Sequence, residues 1–417
     1  MTRLSDSGRE AVVEQEVNGP SAPEAAGIPG LRNVLSSGVR QSGIFIALVA
    51  IVLLFQVWTG GTLLSAGNVT NIVLQYSYIL ILAIGMLFVI VVGHIDLSVG
   101  SVVALVGAVA AILVVRMAQP WWVAVVAGIA VGLLIGAWHG FWVAYVGIPG
   151  FIVTLSGMLL FRGMTYMVLG SVSLSPMSPE YQQIATGFLN GLFGGQGVDV
   201  FTLVIGALAV AGYVVSTLRT RAGRIEYKQS VDAPWVLIAK LVVVAAVVMY
   251  FSYLLATSRG LPIVLIIMAV LILVYSFVAN NTVYGRHVYA IGGNINAARL
   301  SGVRVKRTIF NVYVNMGLLT GIAGVVYSSR SNGAQPGAGN MFELDAIAAC
   351  FIGGAAVTGG VGTVIGAIIG GMIMAVMTNG MQLLGVDTPT QQVIKGLVLL
   401  LAVAFDLVNK RRAAARV

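Results

Sequence analysis

Three groups of residues in this chain have the types and spacing to do chemistry, and each is a polar interruption in an apolar sequence. The first runs from Gly285 to Arg307 and holds five of the 23 Lys and Arg residues. Asn294 or Asn296 can cap a short helix there, Ala297, Ala298, Arg299 and Leu300 favour helix, and Gly302 can end it. A compact helix with Arg299, Arg304, Lys306 and Arg307 around it has the chemistry of a docking element for a second protein. The plain alternative is a basic loop that only sets orientation in a membrane.

The second group is Gly-His-Ile-Asp-Leu-Ser-Val-Gly-Ser at 93–101, a polar break between two apolar runs. Asp96 or Ser98 would cap the helix that follows and offer its N-terminal amides to a polar group. Ionisable residues inside a membrane are candidates for function, so His94, Asp96 and Ser98 are read as a possible translocation path. The alternative is a connector with a capping aspartate at the membrane surface. His94 and Asp96 resemble two ligands of a metal site, but no third partner stands nearby, and no metal site is expected.

The third is Arg162, well inside an apolar run. It can pair with a carboxylate, snorkel, or line the same polar path, and pairing or snorkelling is preferred to direct ligand contact. Lys240 and Lys395 sit near the ends of apolar runs and read as snorkelling. Trp121, Trp122, Trp138 and Trp142 fit an interfacial belt, with stacking on a sugar as the alternative.

The elements that must position these groups are membrane helices. The 417 residues are 58% hydrophobic and 9% charged, with a mean hydropathy of +0.97. Apolar runs of about 20 residues recur, which indicates an all-α, polytopic membrane protein and excludes a water-soluble globule. The runs do not alternate apolar and polar residues, as the strands of a transmembrane barrel would. They fall near 43–58, 72–93, 97–115, 121–145, 149–169, 200–218, 234–256, 262–279, 308–328, 344–358, 361–380 and 391–408. The segments at 344–358 and 361–380 are short, Gly-rich and separated by Gly359 and Gly360, so one or both are expected to be re-entrant or broken. The expectation is therefore 10–12 membrane segments, including short or broken helices.

Charge orients them. The loops at 219–228 and 286–307 and the tail Lys410-Arg411-Arg412 are basic, whereas those at 59–71, 170–199 and 381–390 contain no Lys or Arg. The positive-inside rule then places both termini and the 285–307 loop in the cytoplasm. The expected organisation is a disordered cytoplasmic tail at 1–40, a transmembrane domain at 41–409 and a basic cytoplasmic tail at 410–417. The net charge of +9 falls in separate loops beside apolar runs, so no nucleic acid partner is expected. Cys350 is the single cysteine, which excludes an intramolecular disulfide and fits a small buried residue.

Small residues recur every fourth position at Gly128, Gly132, Gly136 and Gly140, and again at Gly362, Gly366 and Gly370. Each series makes a groove for close helix approach, read as packing rather than transport. Ser98–Val103 weakly echoes Gly360–Ile365, as duplicated transporter halves can. The chain has no Gly-Lys dipeptide and hence no phosphate loop, so if ATP drives it another chain binds the nucleotide. No cofactor is expected.

Several runs resemble one known family in the same order: 93–101, Phe-Ile-Val-Thr-Leu at 151–155, Tyr-Ala-Ile-Gly-Gly-Asn with Ala-Ala-Arg-Leu-Ser-Gly within 289–302, Glu-Leu-Asp-Ala-Ile-Ala-Ala-Cys-Phe-Ile-Gly-Gly at 343–354, and Gln-Gln-Val-Ile-Lys-Gly-Leu-Val-Leu-Leu at 391–400. They look like permease subunits of bacterial monosaccharide ABC importers, in the branch with the xylose and multiple-monosaccharide permeases. The likeness covers roughly residues 40–410. It implies two permease copies in the cytoplasmic membrane, a cytoplasmic ATPase subunit and an extracytoplasmic sugar-binding protein. It also implies that Gly293, Asn294, Ala297, Ala298, Arg299 and Gly302 form the segment that couples to the ATPase. The permease itself would not be an enzyme, and the sugar could have five or six carbons. The reading from another class is a stand-alone secondary sugar transporter or facilitator, which the paucity of intramembrane carboxylates disfavours.

Overall fold

The computed structural model describes residues 39–414 apart from Gln196, Ser230 and Asp232, with side chains described over 43–404. The tail expected at 1–40 therefore lies almost wholly outside the described residues, as does the end of the basic tail at 415–417.

The chain is a bundle of helices. In order these are α1 (Val39–Trp58), α2 (Ala66–Val91), α3 (Val99–Ala111), α4 (Trp121–Phe141), α5 (Gly150–Leu169), α6 (Pro179–Thr186), α7 (Val200–Glu226), α8 (Pro234–Ala256), α9 (Ile263–Asn281), α10 (Val283–Gly293), α11 (Ile295–Leu300), α12 (Val305–Arg330), α13 (Phe342–Ile352), α14 (Val364–Leu383) and α15 (Thr388–Ala414). Wider π-type turns extend α3 to Arg116 and α4 to Val146. Two short strands, β1 (Phe188–Leu189) and β2 (Leu261–Pro262), pair antiparallel and pin the start of α9 to the segment after α6. Among the described residues nine helices are long and apolar enough to cross a membrane, and two shorter apolar stretches, Gly43–Trp58 and Thr388–Ala404, bring the count to eleven. This lies within the expected range. Lys410–Arg412, expected as part of a tail, continue α15.

Burial arranges the helices in layers. The apolar window of α2 is 89% buried, whereas those of α7 and α8 are 11% and 6% buried. Thus α2 is the central post, packed by α12, α13 and α14, and α7 with α8 forms an outlying hairpin. The glycines of α4 do what their spacing predicts. A Cβ on Gly132 would overlap the Gly317 carbonyl, one on Gly136 would overlap the Tyr313 carbonyl, and one on Gly140 would lie 3.0 Å from Phe310. The backbones of α4 and α12 therefore run in direct contact. Gly366 and Gly370 do the same for α14 against Gly353 and Ala349 of α13.

Two helices are broken where glycine and polar residues interrupt the apolar pattern. The chain leaves α2 through Gly93, at φ +83°, and runs without helical structure to α3. It leaves α13 after only 11 residues and runs irregularly from 353 to 363, with Gly354, Gly359 and Gly360 all at positive φ. Of the two segments expected to be short, 344–358 is broken and 361–380 is a full helix, capped by the Thr363 hydroxyl accepting from Gly366 N–H at 3.0 Å. The sequence echo falls on the two restarts, Ser98–Val103 entering α3 and Gly360–Ile365 entering α14.

Candidate docking helix and intramembrane junction

At one end of the bundle the polar stretch after α9 folds into α10 and α11. Thr282 caps α10, its hydroxyl accepting from Gly285 N–H at 3.1 Å. Asn294 caps α11 and not Asn296: its Oδ1 accepts from the amides of Asn296 and Ala297, each at 3.0 Å. The helix ends at Gly302, φ +82°, with Gly302 N–H donating to the Arg299 carbonyl and Val303 N–H to the Ala298 carbonyl. Those paired bonds satisfy the last carbonyls and let a six-residue helix stand alone at the surface. Only Ala298 of α11 is buried; Arg299, Arg304, Lys306 and Arg307 are exposed, and Leu300 is 90% exposed. α11 thus presents a bare leucine on a rigid, basic knob.

This end is tied to both helix breaks. Gly360 N–H donates to the Val91 carbonyl at 2.8 Å, joining the break after α13 to the end of α2. Gly292 of α10 lies against both, close enough that a Cβ there would overlap the Val91 carbonyl and come within 2.5 Å of the Gly360 nitrogen. Tyr289 donates its hydroxyl to the Gly362 carbonyl at 2.8 Å. These contacts show that the 285–293 stretch, read from sequence as part of a loop, is a helix locked into the bundle.

Farther into the bundle, the break at 93–98 meets the irregular segment at 331–341. Gly100 and Gly339 touch backbone to backbone, and the Glu343 carboxylate lies against Gly100 in the first turn of α3. Asp96 Oδ1 accepts from Ser98 N–H at 2.8 Å and from the Ser98 hydroxyl at 2.6 Å, and both residues are buried. Contrary to the sequence expectation, neither Asp96 nor Ser98 caps α3 through its side chain; Asp96 instead closes a turn onto Ser98 just before the helix, from inside the protein and not at its surface. The Thr154 hydroxyl donates to the Ile95 carbonyl at 3.2 Å, and His94 Nδ1 lies 3.2 Å from the Tyr313 hydroxyl. Among the described residues Arg162 joins no carboxylate at ion-pair distance. Its Nη1 donates to the carbonyls of Pro336, at 3.3 Å, and Ala338, so it holds the opposite wall of the junction.

Of the four path candidates, His94, Asp96 and Ser98 therefore lie together in one break, and Arg162 supports the segment that meets it. Lys395 corrects the sequence reading. It does not snorkel but pairs with Asp345, Nζ to Oδ1 3.0 Å, because α15 sets it against the first turn of the half-helix α13. Two further polar residues line the region. Tyr313 faces His94, and His139 of α4 is 1% exposed with its Nε2 unpartnered against Gly157. The missing side chain at Gly157, which leaves room for an imidazole, is the only trace of this in the sequence. The junction as a whole offers two carboxylates, Asp96 already bonded to Ser98 and Glu343 at Gly100, with the Arg162 guanidinium, hydroxyls, imidazoles and backbone groups, a set suited to hydrogen bonding.

The family model described as "Branched-chain amino acid transport system / permease component" matches residues 68–227 and 226–403. The chain is 41% identical over 393 residues to the xylose transport system permease protein XylH of Escherichia coli (strain K12), covering 94% of this chain and 97% of that protein. It is 42% identical over 367 residues to the protein of the same name from Haemophilus influenzae, covering 88% and 96%. The ribose import permease protein RbsC of Escherichia coli (strain K12) is 33% identical over 290 residues, 70% of each chain. No solved structure matches.

Proposed function

The chain belongs to the branched-chain amino acid transport system / permease component family, and on that premise we propose how it works as the membrane-spanning subunit of an ATP-driven monosaccharide importer. It is a transport subunit in the inner membrane, and the ATPase is a separate chain, consistent with the absence of a phosphate loop here. A sugar-binding protein completes the importer. Similarity along 94% of the chain to a xylose permease favours xylose as the sugar. The stripe of basic loops favours cytoplasmic termini, with α11 on the cytoplasmic face, and the permease acts as a pair of identical copies embedded in lipid. In this reading 41–409 is the permease domain and 285–307 its coupling loop.

One observation carries the reading: α11, capped at both ends, presents Arg299 and a bare Leu300 at the surface while α10 beside it is hydrogen-bonded to the break after α13 and packed against the end of α2. Nucleotide-driven closure of the docked ATPases would displace α11. Through Gly293, Asn294 and α10 that displacement reaches the ends of α2 and α13, and through the breaks the junction of Asp96, Ser98 and Arg162. The hydroxyls, imidazoles and backbone groups of that junction can hydrogen-bond a neutral sugar.

The test is purification of tagged protein from native membranes in mild detergent, with ATPase activity assayed on the eluate. Co-purification of a nucleotide-binding subunit, lost in Arg299→Glu, is the expected result. A clean, inactive chain under equally mild solubilisation would instead favour a stand-alone carrier.

A further inference from the structure

At the end of α12 opposite α11, three aromatic rings from three helices converge. Tyr78 of α2 lies 5.0 Å from Tyr327 of α12 and 4.8 Å from Phe342 at the start of α13, and Tyr327 lies 5.2 Å from Phe342. All three are only partly buried, although they sit beside the most buried helix of the protein. Tyrosines packed in a core find partners for their hydroxyls. Neither the Tyr78 nor the Tyr327 hydroxyl has a hydrogen-bond partner among the described residues.

Polar groups stand on the same faces. Asn71 is two turns before Tyr78 on α2, and Arg330 is one turn beyond Tyr327 on α12. Arg330 Nη2 reaches Asn71 Oδ1 at 3.4 Å, a weak bond, and its buried Nε has no partner among the described residues. The ion pair of Lys395 with Asp345 does not include Arg330. An arginine with an unsatisfied N–H, an amide, two unpartnered phenols and three ring faces make an unfilled set of donors beside an apolar platform.

We propose that Tyr78, Tyr327, Phe342, Arg330 and Asn71 form a contact site for a neutral monosaccharide on its way into the permease. A pyranose has one face of C–H groups, which an aromatic ring covers, and a rim of hydroxyls, which arginine and amide groups bind. The site is continuous with the junction, since Glu343 at Gly100 directly follows Phe342. This inference rests on the importer reading and adds where the sugar touches the chain.

The test uses the complete importer in proteoliposomes, with ATP-driven uptake of radiolabelled D-xylose, L-arabinose, D-galactose and D-glucose. Tyr78→Leu and Tyr327→Leu should each lower uptake of the transported sugar at least about tenfold, while Tyr327→Phe, which keeps the ring face, retains most of it. Co-purification of the ATPase with each variant establishes that it folds and assembles. A second readout places a thiol one turn from both Asn71 and Tyr78 by Gln75→Cys, the native Cys350 being fully buried. The transported sugar should slow maleimide labelling there. Wild-type uptake of one sugar with Leu variants equal to wild type, or labelling indifferent to that sugar, overturns the site alone. A wild-type complex that imports none of the four sugars overturns the importer reading itself.

Discussion

The Tyr289 hydroxyl donates to the Gly362 carbonyl at 2.8 Å, joining the helix next to α11 to the irregular segment that leads into α14. Beside it Gly292 leaves no room for a side chain against Val91 and Gly360. Removing the hydroxyl in Tyr289→Phe forfeits one hydrogen bond of about 1 kcal/mol and should leave the fold intact. Its effect should appear as ATP hydrolysis with less sugar moved per ATP. Gly292→Val should be worse, since backbone cannot yield as a side chain tip can, with about 1–3 kcal/mol of destabilisation from overpacking. Paired measurements of uptake and hydrolysis in proteoliposomes check both, and unchanged stoichiometry in the two variants would detach α10 from coupling.

Leu300 is 90% exposed, so the isolated permease gains nothing from it. Leu300→Asp should leave the melting temperature within error of wild type. If α11 seats in a groove of the ATPase, the same change places a charge in an apolar pocket and should weaken assembly by about 2 kcal/mol, close to thirtyfold in affinity. Detergent-phase binding of purified ATPase to wild type and variant measures this. A loss of stability without a loss of binding would mean that α11 serves the fold.

Much of this architecture was legible in the sequence because its causes are local. Spans show as apolar runs, and α11 shows through Asn294 and Gly302, whose capping roles depend only on neighbours within a turn. The break after α13 shows as Gly359-Gly360. What was hidden depends on contacts between distant residues. The glycine stripe of α4 announces close packing but not that α12 is the partner. Lys395 was misread because Asp345 lies 50 positions away and nothing local marks the pair. α10 was hidden for a related reason: a short polar helix beside basic residues looks like loop until Gly292 and Tyr289 are seen to touch the breaks.

The Lys395–Asp345 pair gives a test of how α13 is held. The two side chains are 23% and 17% exposed, so solvent screens them in part and the pair is worth less than a fully buried one. Lys395→Gln leaves the Asp345 carboxylate without its partner and should cost about 1–3 kcal/mol. Asp345→Asn with Lys395→Gln should recover part of this, because neither charge is then left alone. Thermal melts of the four proteins of the cycle decide it: additive losses would show that the two residues do not interact in the folded state.

Asp199 ties acid sensitivity to the corner where the β1–β2 pair meets the outlying hairpin. Burial pushes its carboxyl up, but the Thr202 hydroxyl and the amides of Gly191 and Thr202 outweigh this and hold it below its ordinary value of 3.8. A depressed carboxylate binds fewer protons when folded than when unfolded. Its contribution is therefore complete above that ordinary value and disappears as the pH falls below it. Asp199→Ala removes the cap of α7 and should cost about 1 kcal/mol near neutral pH. Other carboxylates titrate in the same range, so the informative quantity is the difference in melting temperature between wild type and variant. That difference should be constant from pH 7 down to 5 and narrow toward pH 3. A gap that stays open at pH 3 would mean that Asp199 stabilises the corner by packing and not through its charge.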